Sequence, residues 1–220
     1  VGSSRSPDGT LMPASPEAAD PADPGRGGEE VVLASANPKK AAEIVAIVGD
    51  TIRLVPRPDT VPEVVEDADT FLGNARLKAR ALVAATGLAA LADDSGLEVD
   101  ALAGAPGVRS ARYAGEDATD EQNVERLLAE LAGNPDAGAR RARFRCVLVL
   151  ARPDGTELVV DGTAEGSIAL APRGANGFGY DPVFVPDDGD GSTFAEMDPR
   201  AKHDISHRGR ALRALAVELE

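Results

Sequence analysis

Apolar and polar positions first fall into a pattern at residues 30–35, an apolar run with the character of a strand. Ala41, Ile44, Val45 and Val48 then recur at helical spacing, with Asn37-Pro38 as N-cap and first helical residue and Gly49-Asp50 as the stop. Residues 52–55 read as a second strand, and residues 56–69 as a loop rich in proline and acids. A further helix is predicted over 74–85, with Ala75, Leu77, Ala81, Leu82 and Ala85 apolar and Gly87 ending it. Residues 88–92 read as a short buried strand closed by a Ser95-Gly96 turn. Asp93 and Asp94 are therefore expected at a strand mouth, pointing to opposite sides. Thr119 and Gln122 pair as a capping box opening a helix to about Leu131. Residues 144–151 and 157–163 form a hairpin around Pro153-Asp154-Gly155. Ser206 caps a last helix whose Leu212, Leu215, Ala216 and Leu219 make one stripe. An antiparallel pair among strand-helix units predicts an α/β fold with a mixed sheet rather than a purely parallel one.

Composition narrows what such a fold does. The chain's 220 residues can fill one sizeable core, assigned to residues 29–220 behind a disordered tail, rich in Pro, Gly, Ser and Ala, over residues 1–28. With 37 acidic residues against 23 basic ones, the net charge of −14 argues against a surface that grips nucleic acid. Small anionic substrates are compatible with it, best accompanied by a neutralising cation. The single cysteine, Cys146, lies in an apolar run and reads as a buried hydrophobe, which suits a reducing cytoplasm. No apolar run approaches the ~18 residues of a membrane span, and no signal-peptide core is present; a cytoplasmic protein without membrane contact is expected.

Candidate chemistry gathers in four places. The turn Ser35-Ala36-Asn37-Pro38-Lys39-Lys40 joins a strand to a helix N-terminus, where free amides and the helix dipole favour phosphate. Taken alone it reads equally well as an ordinary cap with solvated lysines. Glu66, Asp67 and Asp69, with Asp93 and Asp94, offer the hard oxygens that Mg²⁺ prefers, and Lys78 can meet a phosphate oxygen. No zinc-spaced Cys/His cluster exists. Gly174 to Pro182 places three glycines around Phe178 and Tyr180, either a tight loop whose aromatics plug the core or a ring left open to stack on a planar base. Ser206-His207-Arg208, with Lys202 before it, is a polar cap or a set of donors for a base edge. His203 reads as surface.

In order, the segments Ser35-x-Asn37-x-x-Lys40, Thr70-Phe71-x-x-Asn74-Ala75-x-x-Lys78-Ala79, Ala92-Asp93-Asp94-Ser95-Gly96-Leu97, Gly104-Ala105-Pro106-Gly107-x-x-Ser110-Ala111-Arg112, Gly177-Phe178-Gly179-Tyr180-Asp181-Pro182 and Ser206-His207-Arg208 resemble the inosine-triphosphate pyrophosphatase family, also called XTP/dITP diphosphatases. The resemblance implies Mg²⁺-dependent hydrolysis of ITP, dITP and XTP to monophosphate and pyrophosphate. It also implies a homodimer whose subunits have an elongated mixed sheet in two lobes around a nucleotide cleft. It assigns Asp94 as general base and metal ligand, Glu66 as a second metal ligand, and Ser95 as a substrate contact. Ser35, Ala36, Asn37, Pro38, Lys39 and Lys40 resemble the triphosphate turn, and Lys78 the lysine near the phosphates. Phe178, Gly179, Tyr180, Asp181, Lys202, His207 and Arg208 resemble the nucleobase site. Gly73 departs from the pattern, since many members carry an acid there. The opening loop also looks like that of the Maf-type pyrophosphatases, which act on other bases, and a non-catalytic nucleotide-binding module is a further reading. The downstream Phe-Gly-Tyr-Asp and Ser-His-Arg segments favour the purine family.

Overall fold

Residues 29–35, 38–48, 52–133 and 136–220 are described by the structure, a computed structural model. Ala36, Asn37, the Gly49-Asp50 stop and the tail at 1–28 lie outside the described residues, as do the side chains of Pro38 and Lys39. The strands are β1 (Glu30–Leu33), β2 (Arg53–Pro56), β3 (Ala89–Val99), β4 (Arg141–Ala151), β5 (Glu157–Ile168) and β6 (Phe184–Pro186). They form a six-stranded sheet ordered β2-β1-β3-β4-β5-β6. β1 runs parallel to β2 and β3, and the remaining pairs are antiparallel, so the sheet is mixed as the hairpin predicts.

Helices cover both faces, and the alternation of side chains along each strand decides which residues each face receives. On one face, α1 (Pro38–Val48) and α5 (His207–Glu218) pack Ile44, Val48, Leu212 and Leu215 onto Leu33, Leu91, Cys146, Leu148 and Leu150. Further along that face, α3 (Asp120–Glu130) and the segment 180–194 enclose Leu97, Val99, Phe144 and Phe184 in a second apolar cluster. On the opposite face, α2 (Phe71–Thr86) sets Ala75, Ala79 and Leu82 against Val32, Ala90, Ala92 and Val149. The two clusters on the shared face are the bodies of two lobes, with a cleft between them.

Local chemistry fixes the helix ends. Thr119 and Gln122 form the reciprocal capping box at α3. Ser206 accepts from Gly209 N and separates α5 from α4 (Pro199–Ile205). Gly87 closes α2 in the left-handed conformation, φ 70°. Four expectations fail locally. α2 begins at Phe71, not at residue 74, because the Thr70 hydroxyl accepts from Gly73 N and caps it a turn earlier. Val45, Leu77 and Ala85, all counted into apolar stripes, are exposed, and Ile47 and Ala79 pack in the cores instead.

The largest departure is β3, which runs for 11 residues straight through Ser95-Gly96. Ser-Gly reads as a turn locally, but ladder bonding to β4 continues unbroken from Ala90↔Ala151 to Val99↔Ala142. Gly96 serves close approach: a Cβ there would stand 2.5 Å from both Gly107 O and Ser110 Oγ and 2.9 Å from Phe71 Cε1. Gly96→Ala is therefore expected to lower stability by about 1–3 kcal/mol through overpacking. Urea titration checks this, as a lower midpoint at unchanged slope.

Candidate active site

β1 ends at Leu33 while its neighbour β3 continues, and Ala34 N still bonds Leu91 O at 2.9 Å. Asp93 and Asp94 occupy β3 just beyond that point, so the mouth they face is the one left by the end of β1. The carboxyl ends of parallel strands are where open α/β sheets bind ligands. Alternation sends the two side chains to opposite faces as expected. Asp93 meets Lys40 of α1 at 3.3 Å and Arg208 of α5 at 3.5 Å. Asp94 meets Lys78 of α2 at 3.5 Å and accepts from Asn74 Nδ2 at 3.1 Å. Lys78 also reaches Glu66 at 3.2 Å, so one ammonium bridges the two carboxylates.

The environments of the two aspartates differ. Burial opposes ionisation of Asp93, but Lys40, Arg208 and Lys78 outweigh it and hold the carboxyl well below the ordinary carboxylate range. Burial pushes Asp94 upward; Lys78 and Asn74 pull against this and the charge of Glu66 adds to it, leaving the group above its ordinary value. Burial likewise works against the Lys78 charge, yet Asp94, Asp93 and Glu66 together raise its pKa. Asp93 is thus a fixed anion, and Asp94 the more basic of the pair.

Two cavities flank this cluster. One, about 270 Å³, is lined by Ser35, Lys40, Arg57, Glu66, Lys78 and Asp93, among others. The second, about 130 Å³, lies between the lobes and is lined by Ser95, Phe178, Gly179, Tyr180, Asp181, Lys202, His207 and Arg208. Lys40 and Ala111 line both, so the cavities adjoin. In the second, Lys202 Nζ pairs with Asp181 at 2.6 Å and stands 5.1 Å from the Phe178 ring centroid. Asp181 also accepts from Phe178 N at 2.9 Å, which fixes the loop that carries the ring. Arg208 donates to Ser95 Oγ at 2.9 Å and to Glu43 at 2.5 Å. His207 stacks on Phe144, centroids 4.6 Å apart. Burial first, then Arg208, Lys202 and Lys40, hold His207 well below its ordinary value, so its ring is neutral at pH 7. Among the described residues, the buried His207 Nδ1 and Arg208 Nε find no hydrogen-bond partner.

The sequence-predicted residues divide accordingly. Ser35, Lys40, Glu66 and Lys78 gather at the first cavity and the Phe178 and Ser-His-Arg segments at the second, with Asp94 tied to the former through Lys78. Asp67 and Asp69 are exposed and do not join Glu66. Tyr180 is buried in the core with its hydroxyl donating to Ser110 O at 2.9 Å, as the core-plug reading of the glycine-rich loop expects, while Phe178 is half-buried and lines the second cavity. His203, read as surface, is half-buried with Nε2 3.6 Å from Glu43. At Gly73 a Cβ would meet Ala68 Cβ at 2.6 Å, so the loop before α2 occupies the space an acid would need.

Sequence reasoning left four residues out. Glu43 contacts Lys202, His203 and Arg208 from α1. Asn74 bonds both Asp94 and Ala68 N. Arg112 donates to the Glu66 carbonyl at 2.9 Å, holding the acidic loop in place. Ser110 Oγ ties Leu97 N to Gly107 O. Asn74, Ser110 and Arg112 lie inside the quoted motifs, and that was the available signal.

The geometry has counterparts. A sequence profile of the Ham1 family matches residues 31–218. The dITP/XTP pyrophosphatase of Rhodospirillum centenum is 50% identical over 190 residues, covering 86% of this chain and 93% of that protein. Its namesake from Photobacterium profundum is 50% identical over 196 residues, covering 87% and 98%. Among solved structures, a HAM1 protein from Coxiella burnetii superposes with a TM-score of 0.81 at 45% identity, covering 87% of this chain and 98% of that one. The nucleoside-triphosphatase, or dITP/XTP pyrophosphatase, from Mycobacterium abscessus gives 0.71 at 46% identity, covering 87% and 100%. By profile, by identity over most of its length and by fold, the chain belongs to the Ham1 family.

Proposed function

We propose that the cleft hydrolyses the non-canonical purine triphosphates ITP, dITP and XTP to monophosphate and pyrophosphate. The observation that carries this is the junction of two unlike cavities at Lys40: one offers a half-buried aromatic ring and buried polar readers, the other cations beside carboxylates. The relatives named dITP/XTP pyrophosphatase support the substrate class. We extend the reading to Mg²⁺ as cofactor, to a homodimer and to a cytoplasmic location. Among the described residues no helix is long and apolar enough to cross a membrane.

No preformed cage of three His, Cys or acidic side chains exists among the described residues. Mg²⁺ is commonly held by one or two carboxylates together with substrate phosphates. Glu66 and Asp94, already gathered around the Lys78 ammonium, fit that requirement and would hold the ion. When bound it would neutralise phosphate charge and polarise a phosphoryl oxygen.

The chain's own residues do the rest. Phe178 stacks on the purine, and Arg208, steadied by Glu43 and Ser95, faces its edge with neutral His207. A 6-carbonyl satisfies a buried N–H donor there, while the 6-amino group of adenine leaves it unpaired at a cost of ~1–3 kcal/mol. Lys40 and Lys78 meet the phosphates and set the α-phosphorus in line with a water. Asp94 takes that water's proton as its oxygen bonds phosphorus, and the bond to the pyrophosphate oxygen breaks.

The test is pyrophosphate release across ITP, dITP, XTP, ATP and UTP, with Mg²⁺ and with a chelator. Release from the first three at about tenfold or more above ATP is expected. A preference for UTP would assign the site to pyrimidines, as in the Maf-type reading, and binding of ITP without product would make it a nucleotide-binding module.

A further inference from the structure

Of the cations lining the phosphate-side cavity, two are already matched by carboxylates. Lys40 pairs with Asp93, and Lys78 with Glu66 and Asp94. Arg57 lines the same cavity but makes no ion pair among the described residues. Its hydrogen bond, Nη2 to Val61 O at 2.6 Å, uses one of the five N–H donors of a guanidinium. Glu63 shares the lining, but it makes no ion pair with Arg57, so among the described residues Arg57 is the cation of this cavity that no carboxylate contacts directly.

Its place in the sheet says what that charge meets. Arg57 follows the last residue of β2, and the register Pro56↔Leu33↔Leu91 sets it near the level of the β3 aspartates. β2 is the edge strand, two strand spacings or about 10 Å from β3. The base-side cavity opens the other way, toward β4 and α5, and the two cavities meet at Lys40. Along the cleft the order is thus the base site, Lys40, the Asp94 and Lys78 cluster, then Arg57. A nucleotide whose base lies against Phe178 and whose α-phosphate lies by Asp94 directs its terminal phosphates at Arg57.

We propose that Arg57 binds the β- and γ-phosphates and holds the pyrophosphate as it leaves, so that it selects triphosphates over shorter nucleotides. This rests on the pyrophosphatase reading above. As the bond between the α-phosphorus and its bridging oxygen breaks, negative charge collects on the pyrophosphate. A planar guanidinium can take two of its oxygens at once.

The experiment compares the wild-type chain with Arg57→Met, which keeps the apolar stem, and Arg57→Lys, which keeps the charge. Each is titrated calorimetrically with pyrophosphate and with IMP in excess Mg²⁺, and steady-state constants for ITP are measured. Arg57→Met is expected to weaken pyrophosphate binding about ten- to a hundredfold, and to raise KM for ITP, while IMP binding stays unchanged. Arg57→Lys should recover part of the loss. Equal pyrophosphate affinity in wild type and Arg57→Met overturns the proposal. So does a parallel loss of IMP binding, which would mark Arg57 as a pin for the loop through Val61. A wild-type chain that releases no pyrophosphate from any purine triphosphate overturns the underlying reading, and this inference with it, before any variant is compared.

Discussion

Asp94→Asn is expected to lower pyrophosphate release from ITP by about 10²–10⁴-fold, the range for removing a general base, the role proposed for this residue, and to leave the fold as stable as the parent or more so. The second half follows from the environment of the carboxyl group. Burial, with the charge of Glu66, raises its native pKa above the ordinary value, against Lys78 and Asn74. The stability that this raised pKa contributes is fully present below the unfolded value near 3.8, and is lost as pH rises through the native value. An amide resembles the protonated acid and does not suffer that loss, so the advantage of the variant appears at pH 7 and shrinks toward pH 3. Turnover assays with saturating Mg²⁺, and urea midpoints at both pH values, check the two halves separately. Near-normal turnover would remove Asp94 from the chemistry, and a large loss of stability would make its charge structural.

Asp93→Asn behaves in the opposite way. Its side chain is 3% exposed and faces Lys40 and the nearly buried Arg208. Removing the anion takes away the carboxylate shared by Lys40 and Arg208 and leaves Glu43 as the one ion-pair partner of Arg208 among the described residues, and breaking a buried ion pair in this way typically costs up to about 3–5 kcal/mol. The native pKa of Asp93 is depressed, since its cations outweigh burial. Its contribution is therefore present above the unfolded value near 3.8 and lost as pH falls below it, through the native value. The deficit of Asp93→Asn relative to the parent should be full at pH 7 and narrow in strong acid. Urea midpoints at pH 7 and pH 3 test this. A variant as stable as the parent at pH 7 would show that Arg208 is sufficiently balanced by Glu43 alone.

Two neighbouring aspartates thus carry opposite expectations, and their separation was legible from strand alternation. So were the capping box at Thr119, the β4-β5 hairpin, the stripe of α5 and the burial of Cys146, because each rests on contacts near in sequence. β3 was misread at Ser95-Gly96 because what keeps the strand straight there is distant: Gly107 and Ser110 press on the space a side chain would fill. In the acidic loop, composition alone does not tell Glu66 from Asp67 and Asp69. The distinction comes from Lys78 and from the hold of Arg112 on the Glu66 carbonyl. Glu43 looks like one more solvated acid on a helix, and only the packing of α1 beside α5 turns it toward Arg208 and Lys202. Arg57 sits in a loop without a motif, and only the sheet order reveals its neighbours.

Because β3 is laddered to β1 on one side and to β4 on the other, its register is fixed twice over. Deleting a single residue between Ala89 and Ala92 would bring Asp94 to the place of the buried anchor and Ser95 to the place of the proposed base, and inserting one would bring Asp93 to the place of the base and Ala92 to that of the anchor, so either change leaves one of the two posts without a carboxylate. Mutations that change chain length can accumulate in the turns of this protein, but this strand admits replacement of residues only, never a change in their number.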